Sequence, residues 1–202
     1  EIFNMKFDVI VGNPPYQLTT GGTSAQAVPL YHKFVQQAKK LNPRFLTMII
    51  PARWYAGGMG LGEFRKEMLS DKRIKNLVDY PNARDCFSGI ELRGGVCYFL
   101  LDRDYVGDCN YTNISNGSIS TMLRNLNEYD IFIRWNQALK IVKKVQKVTK
   151  NNLSEIVSSV SPFGIPTSIR GKEKDTKNIY TLHTSGGQSY IEIGHIKAGF
   201  DY

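Results

Sequence analysis

The sequence contains few cysteines and no long apolar run. Its three cysteines, Cys86, Cys97 and Cys109, are an odd number without a C-x-x-C pair, which excludes a secreted disulfide framework and a thiolate zinc site. Apolar stretches such as residues 45–51 and 96–101 are far shorter than the roughly 20 residues that span a bilayer. The sequence also shows no signal peptide, so we expect a cytoplasmic protein that does not bind membranes.

Histidine is scarce as well. The three histidines, His32, His183 and His195, are far apart and share no metal-ligand spacing, so no metal site is predicted. The chain does have 42% hydrophobic residues over 202 positions, enough to form a core without disulfides or metals.

Positive charge is concentrated toward the C-terminus. Residues 1–133 hold 15 basic and 13 acidic side chains, a net charge of +2, whereas residues 134–202 hold 11 basic and 5 acidic ones, a net charge of +6. An excess of this kind favours contact with a polyanion, of which nucleic acid is the commonest in a cytoplasm. A solvated lysine-rich helix would explain the same count.

The N-terminal two thirds alternate strand and helix patterns. Residues 7–12 and 45–50 are mostly apolar and rich in β-branched residues, which predicts strands, the first of them buried on both faces of a parallel sheet. Residues 74–80 are interpreted as a third strand. Helical spacing of apolar residues over 29–41 and 61–69 predicts the intervening helices. Residues 95–101 and 109–114 are interpreted as an antiparallel hairpin turned near Gly107.

A further helix is predicted from about Trp135 to Val148, followed by a region rich in Gly, Ser and Thr. The fold class is therefore α/β: the C-terminal part of a doubly wound, Rossmann-like sheet with an antiparallel edge hairpin, then the start of a second mixed module. We expect one domain over residues 1–133 and a linker helix with the second module over 134–202.

The strand over residues 7–12 ends in Asn13, Pro14, Pro15 and Tyr16. This position, at the carboxyl edge of a parallel sheet, is where open α/β folds bind ligands. The segment FDVIVGNPPY over residues 7–16 resembles the signature of S-adenosylmethionine-dependent DNA adenine-N6 methyltransferases. Residues 46–54, 78–81, 94–100 and 161–164 are similar to segments downstream of this signature in the large methylases of type II restriction-modification systems. A plain structural turn, with Tyr16 in the core, is the alternative.

The resemblance implies which residues do the chemistry. An exocyclic adenine amine is a poor nucleophile, and the Asn13 side-chain carbonyl and the Pro14 main-chain carbonyl could each accept one of its hydrogens. Pro14 and Pro15 hold this backbone rigid, and Tyr16 offers an aromatic face to a base that has left the duplex. Arg53, Trp54 and Tyr55 come after the second strand at the same sheet edge and are predicted to line the substrate cleft.

The half of the family fold that binds the cofactor is missing from the sequence. No G-x-G-x-x-G precedes residue 7, and none of the glycine pairs follows a buried strand and opens a helix. We therefore expect a fragment of a longer methyltransferase that is inactive alone and binds S-adenosylmethionine weakly or not at all.

The resemblance makes the basic C-terminal part the beginning of a target-recognition domain for double-stranded DNA. Six basic side chains of this part could neutralise phosphates, and one aromatic residue is predicted to contact DNA with them. The seven residues are Arg134, Lys143, Lys144, Lys147, Phe163, Arg170 and Lys172. Other expected partners are the rest of the same polypeptide or a restriction subunit.

Two other functions remain open from the sequence. Methyltransferases of glutamine side chains or of guanine in ribosomal RNA also use Asn-Pro-Pro-Tyr, although the long basic extension favours DNA. A recognition module without turnover is the third interpretation, because the cofactor half is absent.

Overall fold

The computed structural model describes residues 6–18, 28–129, 131–148, 179–184 and 187–192. The chain divides into two compact units, residues 1–145 and 146–202. The assignment of the two parts of the chain as catalytic and recognition domains stays a prediction.

Among the described residues, the first unit contains eight strands and the second contains two. The strands are β1 (Val9–Gly12), β2 (Gln17–Leu18), β3 (Val28–Pro29), β4 (Phe45–Pro51), β5 (Ile74–Tyr80), β6 (Val96–Asp102), β7 (Cys109–Ser115), β8 (Ser118–Arg124), β9 (Ile179–Thr184) and β10 (Gly187–Glu192). The helices are α1 (Tyr31–Lys40), α2 (Gly62–Ser70) and α3 (Asn136–Val148). In the second unit, β9 and β10 form an antiparallel pair.

Six strands form one mixed sheet in the order β1-β4-β6-β5-β7-β8. The pairs β1–β4 and β5–β7 are parallel, and β6 lies antiparallel between β4 and β5. The hairpin strand β8 closes the far edge. This confirms the predicted α/β class with an antiparallel edge hairpin.

The predicted pairing of residues 95–101 with 109–114 is wrong. Strand β6 is inserted between β4 and β5, and β7 lies on the other side of β5. The hairpin is instead β7 with β8, turned at Asn116 (φ 49°) and Gly117 (φ 75°). Positive φ at both central residues is the geometry of a type I′ turn, for which Asn-Gly is the preferred sequence.

The prediction that strand β1 is buried on both faces is also wrong. Val9 is 54% exposed and Val11 is 74% exposed, while Ile10, on the opposite face, packs against the core. The side chains of Val9 and Val11 lie on a face that the described residues leave largely open, and β1 has a neighbouring strand only in β4.

The core forms where α1 and α2 cover the sheet. On α1, Tyr31, Val35 and Ala38 recur at helical spacing and are buried, as the periodicity predicts. On α2, Phe64 and Met68 do the same. They pack with buried side chains of the strands, namely Leu46, Ile50, Ile74, Leu77, Cys97, Phe99 and Tyr111.

Gly95, just before β6, adopts φ 78°, and a Cβ there would overlap the Tyr80 carbonyl oxygen. Gly117 has a similar φ of 75° but no atom within 4 Å of its Cβ position. Gly117→Ala should cost about 1–2 kcal/mol, the strain of left-handed backbone alone. Gly95→Ala should cost at least about 3 kcal/mol because the backbone must also move.

Urea denaturation of both variants measures this difference in the free energy of unfolding. Equal losses for the two substitutions would show that the close approach at Gly95 is not a constraint on the fold.

Candidate functional site

The loop after β1 lies at the edge of the sheet where the predicted site should be. Because β1 and β4 are parallel, Asn13 and Ala52 leave the sheet at the same edge. Strand β6 is antiparallel and its first residue, Val96, pairs with Pro51. Residues 81–95, which precede β6, therefore reach this edge as well.

The four motif residues, Asn13 to Tyr16, line one cavity of about 590 Å³. We call it the motif cavity. Its other described walls are formed by Gln17, Phe87, Ile90, Leu92 and Val96. The cavity thus places the motif together with apolar side chains from residues 87–92.

Two carbonyl acceptors of the motif are available. Asn13 is exposed and Pro14 is buried, and no described residue donates a hydrogen bond to the Asn13 side chain or to the Pro14 carbonyl. The Tyr16 carbonyl accepts a hydrogen bond from the Leu30 amide at 3.1 Å, which ties the motif to the start of α1. The loop is therefore anchored while its acceptors face no competing donor from the described chain.

A second cavity of about 350 Å³ adjoins the first, and Tyr16, Gln17 and Leu92 line both. We call it the tyrosine cavity because Tyr16, Tyr31 and Tyr55 all line it. Burial raises the pKa of all three phenol hydroxyls above their ordinary value. They are therefore neutral at physiological pH.

Arg53 and Tyr55 line the tyrosine cavity, whereas Trp54 lines neither cavity. Trp54 is fully buried, and its Nε1 lies 3.4 Å from the Cys97 Sγ. The 3-10 turn Ala52–Ala56 that comes after β4 points Arg53 outward and Trp54 into the core. The prediction for Trp54 is therefore wrong, and its role is packing.

The sequence predicts that Arg134 contacts DNA phosphates, but its guanidinium is already engaged. Its Nε and Nη2 donate to the Asp79 carboxylate at 2.9 and 2.6 Å, and its Nη1 donates to the Gly94 carbonyl at 2.8 Å. Its guanidinium also lies 5.2 Å from the centre of the Tyr55 ring. We therefore correct its role from phosphate contact to an internal ion pair.

Lys143, Lys144 and Lys147 are exposed on α3. Lys143 Nζ lies 3.8 Å from Glu128, a loose pair at the surface. Phe163, Arg170 and Lys172 lie outside the described residues.

Two residue groups of the site were missed from the sequence. Phe87 and Leu92 line the motif cavity, yet they stand in a loop whose path no periodicity reveals. Asp79, which is fully buried, is the single acid in the strand pattern IKNLVDY; a buried acid in an apolar strand signals a partner, but not which one.

Within the residues that the structure describes, no group of three or more His, Cys, Asp or Glu side chains could hold a metal ion. None of the described helices is long and apolar enough to cross a membrane.

Comparison with known proteins agrees with the motif. The family model described as Eco57I restriction-modification methylase matches residues 1–87. A protein of Mycoplasma pneumoniae described as an uncharacterized adenine-specific methylase is 41% identical over 108 residues, which cover 51% of this chain and 25% of that protein. The predicted resemblance to adenine-specific methylases of restriction-modification systems is thereby confirmed. The chain spans about a quarter of the length of this curated relative.

Solved structures give weaker likenesses. A chain of a type I restriction-modification system is 17% identical, with a TM-score of 0.41, over 71% of this chain and 30% of that one. The methyltransferase subunit of the type I system of Streptococcus thermophilus is 12% identical, with a TM-score of 0.38, over 74% and 33%. At this level they add nothing to what the strand order shows.

The three thiols should react very differently. Burial raises the pKa of Cys97 and Cys109 to about 12. Burial also raises the pKa of Cys86, but this thiol is only partly buried. At pH 8 we expect Cys86 to react with a chromogenic disulfide reagent at least about 100-fold faster than the other two.

Cys86→Ser should remove the fast phase, and urea should make all remaining thiols reactive. A fast phase that persists in Cys86→Ser would contradict the burial of Cys97 and Cys109.

Proposed function

We propose that this chain holds the target base in a DNA adenine-N6 methyltransferase of a restriction-modification system. The observation that carries the proposal is the motif cavity, in which Asn13 and Pro14 present two carbonyl oxygens that no described residue uses. The family match over residues 1–87 supports it. The methylase activity is proposed for the whole natural protein, since this chain spans about a quarter of the length of its curated relative.

The two carbonyls suit the chemistry of the amine. The lone pair of N6 is delocalised into the adenine ring, so the nitrogen becomes nucleophilic only when that pair is localised. The Asn13 side-chain oxygen and the Pro14 main-chain oxygen each accept one amino hydrogen and favour the tetrahedral geometry of an attacking nitrogen. Because two consecutive prolines restrict this backbone, little ordering remains to be done when the base arrives.

The cavity also has the walls that a flipped base requires. Tyr16 and Phe87 both line it, and Ile90, Leu92 and Val96 make the remaining surface apolar. Planar bases removed from a duplex are held by stacking between aromatic and apolar side chains. We propose that Tyr16 and Phe87 contact the adenine ring while its amine reaches Asn13 and Pro14.

The methyl donor of this class is S-adenosylmethionine, which supplies an electrophilic methyl group on a sulfonium. The described linings of the two cavities contain no acidic side chain for its ribose hydroxyls. The glycine-rich residues 57–62, which lead into α2 and contribute Gly58 to the tyrosine cavity, come after a 3-10 turn and not directly after a strand. These linings do not fit the donor. The residues of this chain thus orient the amine, and no step of donor binding is assigned to them.

Duplex DNA is the proposed partner. Lys143, Lys144 and Lys147 are exposed on α3, and side chains of this kind bind phosphates without reading sequence. We propose that they contact the DNA backbone. A DNA substrate also favours the cytoplasm as the location of the protein.

Asn13→Ala should strongly slow methyl transfer, because it removes one of the two acceptors that activate the amine. Labelled S-adenosylmethionine and duplex DNA, assayed with the whole natural protein, should show a loss in kcat of at least about 100-fold. The product of the unaltered protein should be N6-methyladenine.

Asn110→Ala is the matched control, since Asn110 is exposed on β7, away from both cavities. Methyl transfer that survives in Asn13→Ala at the control's rate would contradict the proposal.

The lysines of α3 can be tested by salt dependence. In Lys143→Gln/Lys144→Gln/Lys147→Gln we expect weaker binding of this chain to duplex DNA. The slope of log affinity against log salt concentration should fall by about 1 to 3, since each phosphate contact contributes about 0.9.

The same change of charge on the exposed Lys33, Lys40 and Lys66 of α1 and α2 is the control. Equal effects of both triple variants would show that α3 has no special part in binding.

A further inference from the structure

Residues 81–95, which we call the pocket loop, connect β5 to β6 and carry Phe87, Ile90 and Leu92 of the motif cavity. The position of this loop determines the shape of the cavity opposite the motif. The contacts that hold the loop therefore bear on the site.

The C-terminal end of the pocket loop is fixed through the backbone. The Gly95 carbonyl accepts a hydrogen bond from the Ala52 amide at 3.0 Å, which ties the loop to the segment after β4. The preceding carbonyl, that of Gly94, accepts the 2.8 Å hydrogen bond from Arg134 Nη1. The side chain of Arg134, which is 40 residues further along the chain, thus binds the pocket loop two residues from Leu92.

Arg134 is itself held in a single orientation. Its bidentate pair with Asp79 uses the planar geometry of the guanidinium, and the side chain of Asp79 is 0% exposed. Charge-assisted bidentate pairs of this kind are strong and directional. The Asp79 carboxylate in turn accepts from the Tyr111 hydroxyl at 2.9 Å and from Asn113 Nδ2 at 3.0 Å.

Arg134 stands two residues before α3, which begins at Asn136. The segment 131–134 supplies Ile131, Phe132 and Arg134 to the wall of the tyrosine cavity. The Arg134 side chain therefore links the segment that enters α3 directly to the Gly94 carbonyl.

We propose that Arg134 is a positioning residue that couples the segment entering α3 to the pocket loop, and thereby sets the wall of the motif cavity. Its importance for methyl transfer rests on the proposed function. The coupling itself is a property of this chain and can be measured without any reaction. If α3 contacts DNA, Arg134 transmits that contact to the pocket in which the base is held.

Arg124 provides a matched control. It is also a buried arginine, and it donates to the Ile133 carbonyl at 2.8 Å and pairs with Glu128 at 3.0 Å. Its guanidinium carbon lies 4.8 Å from the centre of the Phe132 ring. Arg124 makes no described hydrogen bond to residues 81–95. Arg124→Lys therefore removes a contact to the same segment but leaves the Arg134 hydrogen bonds to Asp79 and Gly94 in place, so it separates loss of the Arg134 link from a general loosening of the segment.

The test is hydrogen–deuterium exchange of this chain in Arg134→Lys and Arg124→Lys. Lysine keeps the positive charge that pairs with Asp79, but it lacks the planar guanidinium group that donates to Asp79 and to the Gly94 carbonyl at the same time. In Arg134→Lys we expect peptides covering 84–95 to exchange at least about tenfold faster, while those of α1 and β4 keep their protection. In Arg124→Lys the peptides covering 84–95 should keep their wild-type rate.

Faster exchange of these peptides in both variants, or in neither, would overturn the proposal. If Arg134→Lys does not fold, the unaltered chain decides the matter in low concentrations of urea. Peptides covering 84–95 and 131–138 should open with the same free energy and the same urea dependence. Opening at different free energies would show that the two segments are not coupled.

In the whole natural protein, Arg134→Lys should lower kcat for methyl transfer at least about tenfold and leave KM for S-adenosylmethionine unchanged, whereas Arg124→Lys should lower neither. An unchanged kcat in Arg134→Lys would overturn the role in the reaction. Absence of methyl transfer in the unaltered protein would instead refute the proposed function and leave the exchange result standing.

Discussion

The Asp79 carboxylate lies where water does not reach it and accepts hydrogen bonds from Tyr111, Asn113 and Arg134. Burying such a charge costs several kcal/mol, which only a complete set of donors offsets, and removal of one partner of a buried pair typically costs about 3–5 kcal/mol. These donors come from β7 and from the segment before α3. The middle of the sheet, its edge hairpin and the entry to α3 are therefore held to one another by a single acid.

The parts of the structure that could be predicted from the sequence are those whose cause is local in the chain. The strands β4 and β5 and the helices α1 and α2 follow from apolar periodicity, which is local, and the motif follows from its position after a strand. The position of β6 between β4 and β5 depends on contacts between residues that are far apart in the sequence, and no local sequence pattern reveals it. The Asn116-Gly117 turn was a local signal for the hairpin, but the strand after it exposes Ile119 and Leu123 and so lacks a buried apolar pattern.

The site residues divide in the same way. Asn13 and Pro14 are recognisable because their chemistry lies in the loop itself. The predictions for Arg134 and Trp54 rest on residue type, which does not reveal what a side chain contacts. An arginine that pairs with a buried acid cannot also bind a phosphate. The side chain of a tryptophan in a 3-10 turn points to the side that the backbone of the turn determines. Phe87 reaches the motif cavity only because the loop before β6 returns to the sheet edge where β1 ends.

The exposure of Val9 and Val11 has a practical consequence for the 202-residue chain. In the described sheet, β1 pairs with β4 on one side only, so its other side offers unpaired backbone donors and acceptors next to apolar side chains. Edges of this composition are templates for intermolecular strand addition. Because β1 is only four residues long, it offers a second chain a short template, and the net charge of +8 opposes association of two copies there.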